Sequence, residues 1–373
     1  MALRVSTIHG LSSTYLESVH ASSGDTSPSP VSMMYRRTGN PSAPVECVTS
    51  DGVGLYERAM IEMKHDCLSC LVREHTYEAL RRLDDRGLWK DAIVTFPPGV
   101  DPSAFAQLVA VFQEDDAPGF TLTVDTSIAV VDSLLFLAQI ADSQLLREWS
   151  LDVVPGDERS VGEVLARQIE FADVVLLANE HRLSDVQSSA THELIQHLNP
   201  AAALVRMDEY GRPARLSIAR GLFDLDHPRR ANPLTSKHRP CASTGTHFTS
   251  MTWTRDRPMH PQRFSELIND GLPNVLRSRG QLWFATTPTN QVGWESVGQR
   301  CTLAALDPWH LVSTGAENFL LLVGPGLDLQ QTTDALDRTL LTHDEMSFSL
   351  DAWEKLPNPF EEALRAPWNK EIT

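Results

Sequence analysis

The stretch Val174–Ala178 reads VVLLA and is followed by Asn179, and it decides the fold class of this chain. A continuous apolar run of this length is typical of a strand that is buried on both faces of a parallel sheet. Helical periodicity precedes it in Gly162–Phe171 and follows it in Ser188–Leu198. Alternation of buried strands with helices predicts an α/β domain with a mostly parallel sheet.

The same alternation extends from the N-terminus to about residue 225, so residues 1–225 predict the first domain. Leu3–Ile8 predicts a first strand, and the small residues after it predict a turn into a helix. Residues 226–247 lack apolar periodicity and predict a linker. Phe248–Trp253 then alternates like a strand, so residues 248–345 predict a second, smaller α+β domain. Residues 346–373 predict a loosely held C-terminal tail.

Composition excludes several classes of protein. The formal net charge of the 373 residues is −17, which argues against a protein that grips nucleic acid over its whole surface. No apolar run approaches the roughly 18 residues that span a bilayer, so we expect no membrane association. The five cysteines form no disulfide framework, which favours a reducing compartment. The default expectation is a cytoplasmic protein.

Three motifs in the second domain identify a family resemblance. They are Trp253–Arg263 (WTRDRPMHPQR), Leu276–Trp283 (LRSRGQLW) and Leu321–Asp328 (LLVGPGLD). Their order and spacing resemble the C-terminal domain of the CobW family of metal-linked GTPases. In the first domain, Asp66–Cys70 (DCLSC) and Gln168–Asp173 (QIEFAD) are similar to further family segments. The resemblance implies a P-loop-NTPase-like fold, followed by a smaller α+β CobW C-terminal domain.

The family's nucleotide motifs are eroded in this chain. A working P-loop needs a second glycine and a lysine that reaches the phosphates. The corresponding segment Gly10–Thr14 keeps Gly10 and offers the hydroxyls of Ser12, Ser13 and Thr14, but it lacks both. We therefore predict at most a degenerate nucleotide cleft made by these four residues and Asn179.

Two other nucleotide motifs of the family have also lost charged residues in this chain. The family's guanine reader, Asn-Lys-x-Asp, is Asn179–Arg182 (NEHR) here, and Arg182 can only donate hydrogen bonds where an aspartate would accept them. The family's acidic strand end is replaced by Phe96–Gly99 (FPPG), which holds no cation ligand. The loss of three charged groups predicts that GTP is not held and that the chain is not an enzyme.

A metal site is predicted at the start of the second helix. Cys67 and Cys70 form a CxxC pair that His65 and His75 flank, and thiolates with imidazoles are ligands that Zn²⁺ prefers. The alternative is a pair of ordinary cysteines before a helix.

The eroded motifs, together with Leu340–Met346 (LLTHDEM), resemble the Walker-degenerate actinobacterial branch of the family, which is tied to zinc starvation. That branch includes a factor that recruits the mycobacterial hibernation protein (protein Y) to ribosomes. The resemblance implies a non-enzymatic adaptor whose partner is the ribosome or a hibernation-promoting protein. The alternative is a zinc or cobalt metallochaperone GTPase.

Arginines of the second domain predict a local basic face for rRNA contact. They are Arg255, Arg257, Arg263, Arg277, Arg279 and Arg300. The alternative is that these side chains are ordinary solvated surface.

Overall fold

The computed structural model describes most of the chain as two compact units. The described residues are 3–23, 29–40, 43–62, 68–103, 105–106, 109, 122–151, 157–210, 212, 222, 243–311 and 315–365, with the backbone alone for 68–73. Unit 1 is Met1–Asp226 and unit 2 is His227–Thr373.

Unit 1 contains an eight-stranded sheet, which confirms the predicted mostly parallel arrangement. The order in the described residues is β4-β3-β2-β5-β1-β6-β7-β8. In that order, β2, β5, β1, β6, β7 and β8 pair parallel with one another, while β3 pairs antiparallel with β2, and β4 pairs antiparallel with β3. The strands are β1 Leu3–Gly10, β2 Val31–Arg37, β3 Val45–Ser50, β4 Leu55–Ile61, β5 Asp91–Thr95, β6 Leu122–Asp132, β7 Val174–Ala178 and β8 Ala203–Arg206.

Two helices of unit 1 begin at serine capping residues. The described helices are α1 Ser13–Ser23, α2 Leu68–Arg86, α3 Phe136–Gln139, α4 Val161–Phe171 and α5 Asp185–Leu198. The side chains of Ser160 and Ser184 accept hydrogen bonds from the third residues of α4 and α5, and each forms a capping box. These caps fix the points at which the chain turns back from the sheet.

Apolar residues fill the space between the unit 1 sheet and its helices. One cluster joins Val5 and Val94 of the central strands to Leu80 of α2. A second cluster joins Ile8 to Leu16 of α1 and Leu176 of β7. β1 therefore buries both of its faces, as its position in the middle of the sheet requires.

Unit 2 contains a six-stranded antiparallel sheet with helices, as the predicted α+β class requires. The order is β13-β12-β11-β14-β10-β9. The strands are β9 Ser243–Thr244, β10 Thr249–Arg255, β11 Arg277–Leu282, β12 Asn290–Val297, β13 Arg300–Pro308 and β14 Asn318–Gly324. The helices are α6 Pro261–Asp270, α7 Leu329–Asp337, α8 Leu350–Trp353 and α9 Glu361–Arg365.

Both ends of unit 2 contribute more structure than their sequence predicts. β9 comes from the end of the predicted linker 226–247, whose residues 226–242 lie outside the described residues. In the predicted tail, Phe360 stacks on Phe284 with ring centroids 5.5 Å apart, and Leu364 packs against the same core. Apolar side chains that are spaced along a short segment can dock on a core without helical periodicity, which explains the difference.

None of the described helices is long and apolar enough to cross a membrane.

We predict that Gly324→Ala strongly destabilises unit 2. A Cβ on Gly324 would lie 1.7 Å from the backbone oxygen of Asn274, so the backbone must move. We expect the free energy of unfolding to fall by about 3 kcal/mol, measured by urea unfolding with tryptophan fluorescence. The control is Gly271→Ala, where nothing lies within 4 Å and only the positive φ of 81° costs about 1 kcal/mol. Equal losses in the two variants would contradict the prediction.

Candidate functional site at the carboxyl edge of the unit 1 sheet

The connection between β1 and α1 consists of two residues. β1 ends at Gly10 and α1 begins at Ser13, so only Leu11 and Ser12 lie between them. A phosphate-binding loop needs a longer, glycine-rich segment whose N–H groups surround the phosphates. The exposed residues Ser13 and Thr14 belong to the first turn of α1. The structure therefore places these predicted residues in the two-residue connection and the helix start that follow β1.

Gly10 has a packing role in this position. A Cβ on Gly10 would lie 2.6 Å from the backbone oxygen of Val130 on the neighbouring strand β6. The backbone oxygen of Gly10 also accepts a hydrogen bond from Nε2 of Gln168, which donates to the oxygen of Val100 as well. The close approach of two strands is therefore sufficient to require glycine here.

Asn179 is held by side chains of the protein itself. It adopts a left-handed backbone conformation with φ of 59° directly after β7. Its Nδ2 donates to Oδ1 of Asp132 at 3.0 Å and to the hydroxyl of Tyr15. The structure thus brings Asn179 together with the end of β6 and the first turns of α1. Sequence reasoning did not identify Tyr15 as part of this cluster, because a tyrosine on a helix has no distinguishing spacing.

Glu180, which stands where the family has lysine, is a buried and paired carboxylate. Its side chain is 3% exposed and forms an ion pair with Arg206 at 2.9 Å, and Nε2 of His192 lies 2.7 Å from its Oε1. Ser188 donates a third contact at 2.8 Å. A buried carboxylate requires such partners. The carboxylate of Glu180 therefore connects the loop after β7 to β8 and to α5.

Phe96 occupies the family's acidic strand end and belongs to the core. It is 1% exposed and its ring lies 6.3 Å from that of Tyr35 and 5.9 Å from that of Phe105. An aromatic ring in this setting holds neither a cation nor an attacking water molecule.

His9 is a buried titratable residue at the same edge that sequence reasoning did not single out. Its Nε2 lies 3.0 Å from Oγ of Ser127, and the residue has no exposed surface. Burial lowers the pKa of His9 to about 3. The imidazole is therefore neutral at physiological pH and cannot replace the missing lysine as a fixed positive charge. The position of His9 directly before Gly10 is the sequence feature that could have identified it as part of this edge.

The structure describes part of the predicted metal set. His65 and Cys67 lie outside the described residues, and only the backbone of Cys70 is described. Nδ1 of His75 lies 2.8 Å from the hydroxyl of Tyr35, and burial together with Arg82 lowers the pKa of His75. Positions 70 and 75 are about 140° apart around the axis of α2. Among the described residues, no three His, Cys, Asp or Glu side chains are grouped to hold a metal ion.

Three arginines of the predicted basic face are paired with carboxylates. Arg255 lies 2.8 Å from Asp337, and Arg263 lies 2.6 Å from Glu345. Arg277, whose side chain is 2% exposed, lies 3.1 Å from Glu295. These three charges are engaged within unit 2.

The mostly parallel sheet with its helices, followed by a smaller antiparallel sheet, defines a P-loop-GTPase-like α/β protein with a second domain. Two family models match the chain. The model of the CobW/HypB/UreG nucleotide-binding domain matches residues 45–206, and that of the cobalamin synthesis protein cobW C-terminal domain matches residues 248–340. The chain belongs to the CobW/HypB/UreG family and carries the CobW C-terminal domain.

Individual relatives have names that refer to zinc. The chain is 28% identical over 284 residues to the zinc-regulated GTPase metalloprotein activator 1 of Dictyostelium discoideum, covering 73% of this chain and 58% of that protein. It is 26% identical over 338 residues to the zinc chaperone Rv0106 of Mycobacterium tuberculosis, covering 80% and 79%. A solved structure, the Zn(II)-bound YjiA GTPase from E. coli, aligns over 91% of this chain and 100% of that one, with 13% identity and a TM-score of 0.40.

We predict that His9 makes unit 1 sensitive to acid. The folded-state pKa of about 3 lies below the ordinary value of 6.5, so the unfolded chain binds the proton first as pH falls. The stability is complete above pH 6.5 and declines between pH 6.5 and 3. We expect His9 to account for about 2 kcal/mol of the loss between pH 7 and pH 5.

Urea unfolding of His9→Gln at these two pH values measures the effect. The variant should show a smaller difference between pH 7 and pH 5 than the parent chain. His181→Gln, which replaces an exposed histidine at the same edge, is the control. An unchanged pH dependence in His9→Gln would contradict the assignment.

Proposed function

We propose that this chain is a zinc-handling protein of the CobW family, a metallochaperone that binds Zn²⁺ as cargo and works without hydrolysing GTP. The zinc part is supported by the names of two relatives, an activator described as zinc-regulated and a zinc chaperone. The GTP-independent part is supported by the two-residue connection between β1 and α1, which is the observation that carries the proposal.

The arrangement around that connection supports the same proposal. A triphosphate would meet no lysine, and the neighbouring Asn179 amide already donates to Asp132 and Tyr15. Glu180 adds a carboxylate whose ion pairs would have to break before another cation could use it. Electrostatic stabilisation is usually the largest contribution to phosphoryl transfer, and these groups do not supply it.

The zinc ligands in this proposal are Cys67 and Cys70 with His65 or His75. Their donor atoms fit Zn²⁺, since thiolate sulfur and imidazole nitrogen are its preferred ligands. The contact between Nδ1 of His75 and the Tyr35 hydroxyl leaves Nε2 of that ring as the coordinating atom. An open coordination position would suit an ion that is passed on rather than kept.

We predict one zinc ion per chain, whose affinity falls at least about 100-fold in Cys67→Ser and in Cys70→Ser. Competition with a chromophoric chelator measures the affinity. Cys301→Ser, at a half-buried cysteine on β13, is the control and should bind zinc as the parent does. Titration calorimetry with millimolar GTP and Mg²⁺ should give no binding. Unchanged zinc affinity in both cysteine variants, or GTP turnover, would contradict the proposal.

The ribosome and a hibernation-promoting protein remain the proposed partners, and the acidic charge of −17 favours a basic protein surface over bare rRNA. Because Arg255, Arg263 and Arg277 are paired within unit 2, we expect direct rRNA contact to contribute little. The tagged chain should co-sediment with ribosomes, or retain a hibernation-promoting protein, from zinc-depleted cells. The association should weaken as salt increases, since exposed charges are screened. Failure of both in zinc-depleted extract would remove this partner assignment and leave the zinc proposal standing.

A further inference from the structure

The indole N–H of Trp309 differs from those of the other buried tryptophans. Four tryptophans are buried in the described residues. Nε1 of Trp253 donates to Asp337, that of Trp294 to Ser278, and that of Trp353 to the backbone oxygen of Glu345. Trp309 is 6% exposed, and its Nε1 has no acceptor among the described residues. Buried indole N–H groups normally have a partner, so this one requires an explanation.

Gln291 supplies a complementary unpartnered atom at the same end of the unit 2 sheet. Its side chain is completely buried, and its Nε2 donates to the backbone oxygen of Asp307 at 3.0 Å. Its Oε1 is buried and has no donor in the described part of the chain. Gln291 lies at the start of β12, and Asp307 lies near the end of β13, two residues before Trp309.

Backbone hydrogen bonds hold these segments together. The N–H of Trp309 donates to the oxygen of Thr289 at 2.9 Å, and the N–H of Asn290 donates to the oxygen of Thr287 at 3.2 Å. Oγ1 of Thr287 is a third buried atom without a partner in the described residues. An indole donor, an amide acceptor and a hydroxyl are thus unpartnered within one region, at a cost of about 1–3 kcal/mol each if they stay so.

We propose that Trp309 and Gln291 form a binding site for an amide group. The carbonyl oxygen of the bound amide accepts from Nε1 of Trp309, and its N–H donates to Oε1 of Gln291. A carboxylate does not fit, because Oε1 of Gln291 can only accept and would face another acceptor. A cation does not fit either, because the indole N–H can only donate. A neutral group with one donor and one acceptor satisfies both atoms.

The residues next to the two buried atoms lie at the surface. Thr289 and His310 are exposed beside Gln291 and Trp309, and Leu311 is 68% exposed. A primary carboxamide and a peptide bond share the required chemistry. The ligand is therefore either a primary carboxamide, in a small molecule or in a side chain, or the peptide backbone of a bound segment. Such a site would give unit 2 a recognition role that is independent of the eroded cleft.

Amide titration of the ¹⁵N-tryptophan-labelled full chain tests the proposal. We expect acetamide or N-methylacetamide to shift the Nε1–H resonance of Trp309 saturably, while acetate at equal concentration does not. A response to acetamide alone indicates a primary carboxamide, and a response to N-methylacetamide indicates a peptide bond. The resonance of Trp253, whose Nε1 already donates to Oδ1 of Asp337 at 2.8 Å, is an internal control and should not move.

Variants separate binding from folding. Trp309→Phe assigns the resonance, and the remaining indole resonances report whether unit 2 is folded. Gln291→Met has a similar volume and no acceptor, so the Trp309 resonance should remain but lose its amide response. The proposal is overturned if neither amide moves the resonance more than acetate does. It is also overturned if a water cross-peak to this N–H persists unchanged at the highest amide concentration, which would identify an ordered water molecule only.

Discussion

The close approach of β1 to β6 is the constraint on which the rest of unit 1 depends. β1 lies between β5 and β6, and Gly10 lies against Val130 so closely that a Cβ would come within 2.6 Å of its backbone oxygen. From this point only Leu11 and Ser12 lead into α1. A two-residue connection therefore joins the central strand of the sheet directly to the first helix.

The carboxyl edge of the unit 1 sheet also holds a buried carboxylate, that of Glu180. Glu180 stands at the position of the lysine in the family's Asn-Lys-x-Asp motif, and it is buried with Arg206, His192 and Ser188 as partners. Removing any one partner would leave a buried carboxylate less compensated, which is costly. Asn179 is similarly engaged by Asp132 and Tyr15. These contacts stabilise the loop after β7.

Local signals predicted the strands that are buried in the middle of the sheets, but not β3, β4, β12 and β13. The apolar run Val174–Ala178 is a buried strand of the parallel sheet, and the helical segments predicted on either side of it are α4 and α5. The candidate site was only partly predictable, because its contacts join residues that are far apart in the chain. Tyr15 and Asn179 are separated by 164 residues, and His9 and Ser127 by 118. The packing of Phe360 on Phe284 was missed for the same reason.

The sequence by itself determined the family, the two-unit α/β and α+β organisation, and the absence of a lysine from the segment Gly10–Thr14, since these depend on residue order and side-chain type. Only the tertiary structure decided what replaced the lost functions. Whether a buried polar atom has a partner depends on which distant side chains fold against it, and neither the ion pairs of Glu180 nor the unpartnered Nε1 of Trp309 has a signature in residue order.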